Sequence, residues 1–438
     1  MTLREPAVAG AFYPGTAAAL REMISGLVDE AAPRVAAIGA LVPHAGYVYS
    51  GRVAGATISR LRFGDSFVVM GPSHTGLGAP FSLMAAGIWR TPLGDVEIDT
   101  ELAAAILERS DVLRDDDLAH LREHAVEVQL PFLQYFRPDV RIVPLVLSHA
   151  EVPTYRRIAS ALVGAIEATG RSVTLLASGD MTHYEPRETA ERKDRQGIEA
   201  ILALDDEELL RRVRTLGISM CAYGPAAVLI AAARQAGATR AELVGYATSG
   251  DVTGDYSAVV GYAGIIVRKP PQTEIARLAR DAVEAFVLRG ERLQPVVTSP
   301  EMQARAGVFV SLHKNGSLRG CIGTFEPQEA SVAEEIVANA ISSATHDPRF
   351  LPVRPDELGA LEYSVDVLTP PEPVDGPEAL DPKRYGVIVE SGWRRGLLLP
   401  DLEGVNTVKE QLEICRQKAG IGPDEPVRLY RFEVKRYR

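Results

Sequence analysis

Residues Ala40-Leu41-Val42-Pro43-His44-Ala45-Gly46-Tyr47 decide the fold of the first part of this chain. A short apolar run ends on proline, and a histidine framed by alanine and glycine follows at once. Proline and glycine at such a point shape a turn that leaves the imidazole exposed. The pattern recurs. Phe67–Met70 runs into Gly71-Pro72-Ser73-His74, and Ile142–Leu147 into Ser148-His149. Val173–Ala177 runs into Ser178-Gly179-Asp180-Met181-Thr182-His183. Apolar runs of this kind read as parallel strands buried on both faces, whose carboxyl ends gather ligands along one edge.

Working outward, the expected strands are Ala36–Val42, Phe67–Met70, Arg141–Leu147, Val173–Ala177 and Val259–Val267. They alternate with helices expected over Ala17–Glu30, Gly51–Leu61, Thr100–Arg109, Ala125–Phe136, Thr154–Ala168, Glu188–Ala203 and Pro225–Ala236. This predicts an α/β domain with a largely parallel sheet covered by helices. The pattern stops at Val267-Arg268-Lys269-Pro270-Pro271-Gln272, where two prolines interrupt any strand. Domains are therefore expected at 1–268 and 274–438, with 269–273 as linker.

Beyond the seam, Ile275, Leu278, Ala279, Ala282, Val283 and Phe286 mark one buried helix face. The order then reads helix, hairpin, helix, strand, hairpin, helix, strand, which predicts a smaller α+β domain. Val308–His313 and Leu318–Gly323 flank Lys314-Asn315-Gly316-Ser317, a favoured tight turn. Ser331 with Glu334 and Thr407 with Glu410 each read as a capping box. Thr369 to Pro382 holds five prolines and is expected to be an irregular loop.

A length of 438 residues suits two domains. The balance of 47 basic and 58 acidic groups gives a net charge of −11, against a nucleic-acid-binding face. Three scattered cysteines form no disulfide framework and fit a reducing compartment. The start lacks a signal peptide's basic and apolar regions, and no apolar run is long enough for a bilayer. A cytoplasmic protein without membrane or nucleic-acid partners is expected.

Six of the eight histidines precede residue 184, and four follow strands. Cys221 lies just before a helix expected to begin near Pro225, where the dipole favours thiolate, the form that binds metals. Two imidazoles and one anion leave open positions for a substrate, as in non-haem iron sites, while a thiolate also admits zinc or Cu(I). No Cys-x-x-Cys or His-Glu-x-x-His spacing indicates a structural zinc. Glu123, His124 and Glu127 start an amphipathic helix, read either as a solvated helix start or as pocket lining. His120 is expected at the surface.

Pro43-His44-Ala45-Gly46-Tyr47, Gly71-Pro72-Ser73-His74, Glu123-His124 through Leu130-Pro131, Ser178-Gly179-Asp180 with His183, and Cys221 together resemble the Memo family. That family is similar in fold to class III extradiol ring-cleaving dioxygenases. The resemblance implies metal ligands His44, His74 and Cys221, with Asp180 and His183 beside them. The dioxygenases use glutamate as third ligand where this chain offers Cys221, so ring cleavage does not carry over directly. One transition metal is expected, iron first, with copper or zinc as alternatives. His183 is expected as general acid or base, and Asp180 as the group that orients it or a metal-bound water. His149 receives no role.

Leu318-Arg319-Gly320-Cys321-Ile322-Gly323, Asp347-Pro348-Arg349-Phe350, Glu362-Tyr363-Ser364-Val365, Arg395 to Pro400 and Gln411-Leu412 resemble the AMMECR family. Cys321 beside Arg319 is a second candidate site, weighed against a hexapeptide that only packs a tight sheet. Both families occur beside a radical-SAM protein, as the AmmeMemoRadiSam system, which implies that component as partner; its cysteine motif is not on this chain. The expected function is a metal-dependent redox enzyme, related to the dioxygenases, for a small molecule or peptide. The alternative is a scaffold that binds a peptide or other ligand in the same pocket.

Overall fold

Four parallel strands build the centre of the first sheet: β1 (Gly39–Val42), β2 (Ser66–Pro72), β3 (Arg141–Leu147) and β4 (Val173–Ser178). Side by side they run in the order β3, β2, β4, β1, and β5 (Val259–Arg268) joins β1 antiparallel. Every residue of β1 and β2 is buried, as covering on both faces requires. The carboxyl ends of the four parallel strands share one edge, which places His44, His74, His149 and Asp180 along it.

The computed structural model describes residues 2–269, 272–314, 317–402 and 404–438. The seam's Pro270 and Pro271 and the hairpin turn Asn315-Gly316 lie outside the described residues. The chain divides into two compact units, Met1–Pro270 and Pro271–Arg438. Among the described residues no helix is long and apolar enough to cross a membrane.

In the first unit the sheet is mixed and wider than expected. Ile88–Thr91, Gly94–Ile98 and Arg240–Thr248 are added strands, the last antiparallel to β5. They are short or half-exposed and lack the continuous apolar run that marks the central strands. The helix expected over Ala125–Phe136 is a 3-10 turn at Glu127–Gln129 followed by an α-helix at Leu130–Phe136. Pro131 suits the first turn of a helix, where no amide donor is needed, so the α-helix starts beside it.

The second unit holds two four-stranded antiparallel sheets. One orders Ser317–Thr324, Val308–Lys314, Leu361–Leu368 and Val434–Tyr437; the helices Glu274–Arg289 and Val332–Thr345 pack on it. The other orders Glu372–Val374, Arg428–Phe432, Gly386–Ser391 and Arg394–Leu398. The proline-rich stretch thus contains a strand, Glu372–Val374, which corrects the expectation of an irregular loop. It pairs on one side only, and an edge tolerates Pro373 because that position gives up no central ladder bond.

Each unit has its own apolar clusters. Expressed separately, residues 1–268 and 274–438 are expected to melt cooperatively, and thermal unfolding followed by circular dichroism checks this. Two non-cooperative transitions would refute it.

Candidate metal centre

The site assembles at the ends of β1, β2 and β4. Gly179, just past β4, lets the Cys221 loop close on it: a Cβ there would lie 1.9 Å from that of Ala222. His44, His74 and Cys221 present ligand atoms all within 4.8 Å of one another. The thiol of Cys221 lies 3.4 Å from His44 Nε2. Two donors held at about 2.0 and 2.3 Å around a tetrahedral ion stand about 3.5 Å apart, so this spacing fits a shared metal.

Hydrogen bonds assign the tautomers. Ser178 Oγ donates its one proton to Ala125 O at 2.6 Å and accepts from Gln129 Nε2 at 2.8 Å. His44 Nδ1, 3.3 Å from the same oxygen, must therefore carry a proton, which leaves the Nε2 lone pair facing Cys221. His74 Nδ1 donates to Glu123 Oε1 at 2.7 Å, and the His74 amide donates to Glu123 Oε2 at 2.7 Å. Again Nε2 remains for a ligand. A carboxylate or hydroxyl behind each imidazole is the usual support of a metal-binding histidine.

Burial, then the neighbouring His74, pushes His44 down to about 3, so it stays neutral and able to ligate. Burial works to raise Glu123, but the His74 and Ala125 hydrogen bonds outweigh it and hold it at about 2. Cys221 departs from expectation. It precedes the helix Tyr223–Gln235, yet burial, then the Asp180 carboxylate, raises the thiol well above its ordinary value. Desolvation outweighs the helix dipole here, and the thiol keeps its proton until a cation displaces it.

Asp180 Oδ1 accepts from the amides of His44 at 2.9 Å and Ala45 at 3.3 Å, and the Asp180 amide donates to Cys221 Sγ at 3.1 Å. Asp180 thus shapes the loop that carries His44. The ring of His183 is fixed instead by Ser219, whose carbonyl accepts from Nδ1 at 2.9 Å. His124 stacks on His74, centroids 4.5 Å apart and 19° from parallel, and is pushed down to about 4 by burial, then by His44 and His74.

Other residues lie elsewhere. Glu127 is fully buried and binds Arg4, the amides of Ala7 and Val8, and Tyr13, so it is no solvated helix start, and it belongs to neither cluster with metal-ligand spacing among the described residues. Glu123, also fully buried, is no solvated helix start either. His120, expected at the surface, is buried against Trp89 with Nε2 3.1 Å from Ser82 Oγ. Sequence reasoning missed the supports Arg4, Gln129 and Ser219: the polar type of Arg4 and Gln129 marks them as surface although both are buried, and the exposed Ser219 carries no local signal. His149 pairs with Tyr223, outside the ligand cluster.

In the second unit Arg319 forks onto Glu357 at 3.0 and 3.2 Å, so its charge is engaged away from the thiol. Cys321 Sγ accepts from Ser311 Oγ at 3.2 Å, and its amide donates to Asp347 at 2.8 Å. A Cβ on Gly320 would lie 2.2 Å from Ser343 O, so this glycine admits the backbone of the helix Val332–Thr345. Gly320→Ala is expected to destabilise the second unit by roughly 1–3 kcal/mol in a urea titration. An unchanged midpoint would show that the contact relaxes freely.

Residues 4–266 match the family model described as Memo-like protein, and residues 276–437 match AMMECR1. A MEMO1 family protein of Methanopyrus kandleri is 44% identical over 280 residues, covering 61% of this chain and 99% of that relative. One of Methanothermobacter thermautotrophicus is 45% identical over 273 residues, covering 60% of this chain and 99% of its own length. A crystal structure of an uncharacterized protein from Pyrococcus horikoshii is 37% identical, covers 37% of this chain and 88% of its own, and superposes with a TM-score of 0.35.

Proposed function

Because the chain belongs to the Memo family through residues 4–266 and carries an AMMECR1 domain at 276–437, we propose that His44, His74 and Cys221 hold one transition metal in a redox enzyme for a small organic or peptide substrate. Iron is the first choice, copper or zinc the alternatives, because two imidazoles with one thiolate accept all three. The observation that carries this reading is the hydrogen bonding of both imidazoles. Each commits Nδ1–H to a protein acceptor and leaves Nε2 for a ligand; His44 Nε2 lies beside the thiol, and His74 offers a nitrogen within 4.8 Å of both.

The bound metal would supply Lewis acidity or one-electron chemistry. The chain's own residues do the rest. Glu123 and Ser178 orient the two imidazoles, and Asp180 fixes the His44 turn through its amides. His183, oriented by Ser219 O, keeps Nε2 for taking or giving a proton at the substrate. His74 is partly exposed while His44 is buried, which suits approach from the His74 side. The presence of an AMMECR1 domain on the same chain supports action alongside a radical-SAM partner.

Anaerobic purification followed by elemental analysis tests the proposal, with about one metal per chain expected and oxygen uptake that depends on substrate. A metal-free chain that holds a peptide tightly would overturn it in favour of a scaffold.

A further inference from the structure

Arg4 and Glu127 are among the most completely buried charges in the first unit, with 1% and 0% exposure. A guanidinium out of water must be paired and hydrogen-bonded throughout. Arg4 meets this demand with a single segment: it donates to His120 O at 3.1 Å and Glu123 O at 2.7 Å, and pairs with Glu127. Its remaining face lies over Trp89, 4.4 Å from the ring centroid. Glu127 in turn accepts from the amides of Ala7 at 2.8 Å and Val8 at 3.0 Å, and from Tyr13 Oη at 2.5 Å. Residues 4–13 and 120–127 are thereby locked together.

Both histidine arms rest on this lock. Glu123, whose carbonyl Arg4 holds, is the carboxylate that grips the ring and the amide of His74. On the other arm, Phe12 O accepts from the Tyr47 amide at 2.8 Å, in the turn that follows His44. Tyr47 Oη donates to Val128 O at 2.7 Å, next to Glu127. Phe12 also packs on His124, centroids 4.9 Å apart.

We infer that the Arg4–Glu127 pair is a positioning device for the metal centre, setting the orientation of His74 through Glu123 rather than touching the metal. The inference rests on the metal-site reading above. It assigns Glu127, four residues from Glu123 in the same segment, a different task from its neighbour: Glu123 aims the ligand, and Glu127 fixes the backbone from which Glu123 aims. Outer supports of this kind commonly shift metal affinity by about 10- to 100-fold.

The test uses the full chain and the metals alone, Zn2+ for affinity and Co2+ for its absorption spectrum. Removing one partner strands the other charge, so the main variant is the double replacement Arg4→Met with Glu127→Leu, an apolar pair of similar bulk. It should bind Zn2+ about tenfold or more weakly than the parent and show an altered Co2+ spectrum at saturation. A purely structural role would lower the melting temperature and leave the saturated Co2+ spectrum as it was. If the double variant does not melt cooperatively, Arg4→Lys keeps the charge, loses the guanidinium's separate bonds to His120 O, Glu123 O and Glu127, and carries the same expectation. Parent-like affinity and spectrum in the variant that folds overturn the inference. A parent chain that takes up neither ion overturns the metal reading, and this inference with it.

Discussion

Cys221→Ala is expected to bind a transition metal at least about 100-fold more weakly than the parent while retaining the fold. The thiol sits in the turn before the helix Tyr223–Gln235, so its loss removes a ligand and an acceptor for the Asp180 amide without interrupting a strand or helix. Proton bookkeeping gives a second signature. Burial, then Asp180, holds the thiol above its ordinary range, so it is protonated at neutral pH. His44, pushed down to about 3, is already neutral there and releases nothing. Metal binding must then expel the Cys221 proton. Affinity should therefore rise with pH, the Cys221 proton contributing about tenfold per unit across roughly pH 6 to 8. The alanine variant should lose that slope. Competition against a chelator at three pH values measures both effects. Full metal stoichiometry in Cys221→Ala would end the thiolate assignment and make Asp180 the anionic ligand.

What the sequence reveals of this site follows from which signals are local. His44 and His74 are legible because proline and glycine beside each mark a turn at a strand end, and Cys221 because it precedes a helix. The two-domain order and the parallel centre are legible because fully buried strands read as unbroken apolar runs. The supports are another matter. Glu123 reaches His74 across 49 residues, and Arg4 reaches Glu127 across 123. A charged residue in isolation reads as solvated, because burial is tolerable only with a partner and the partner lies elsewhere in the chain. His120 has no local signal either: only the fold buries this ring against Trp89. The thiol shows the converse error: the helix dipole is visible in sequence, whereas the desolvation that outweighs it exists only once the chain closes around it. Pro373 shows a third. Proline argues against a strand unless the strand is an edge, and edge position belongs to the sheet, not to the peptide.

His183→Ala is expected to keep the metal and to lose turnover by about 10²- to 10⁴-fold, the usual share of a positioned acid–base group. Its ring is anchored at Nδ1 to Ser219 O, 2.9 Å away, and its amide donates to Ser219 Oγ at 2.8 Å. A carbonyl acceptor fixes the tautomer, so the free Nε2 is a base in the neutral ring and an acid once protonated. Among the described residues, the clusters with metal-ligand spacing are His44 with His74 and Cys221, and His74 with Glu123 and His124; His183 belongs to neither. A centre that took two imidazoles and a thiolate as ligands would have to keep positions open for substrate, and adding His183 and Asp180 would fill them. Asp180 is committed besides, through Oδ1, to the amides of His44 and Ala45. The structural alternative is that His183 only pins the strand His183–Glu185 against β5. That role would survive as backbone pairing in the alanine variant and leave turnover near the parent's. Metal content by elemental analysis, read beside the parent's substrate-dependent oxygen uptake, separates the cases. Metal retained with turnover lost supports proton transfer at Nε2, while loss of the metal would make His183 a ligand and close one of the positions left for substrate.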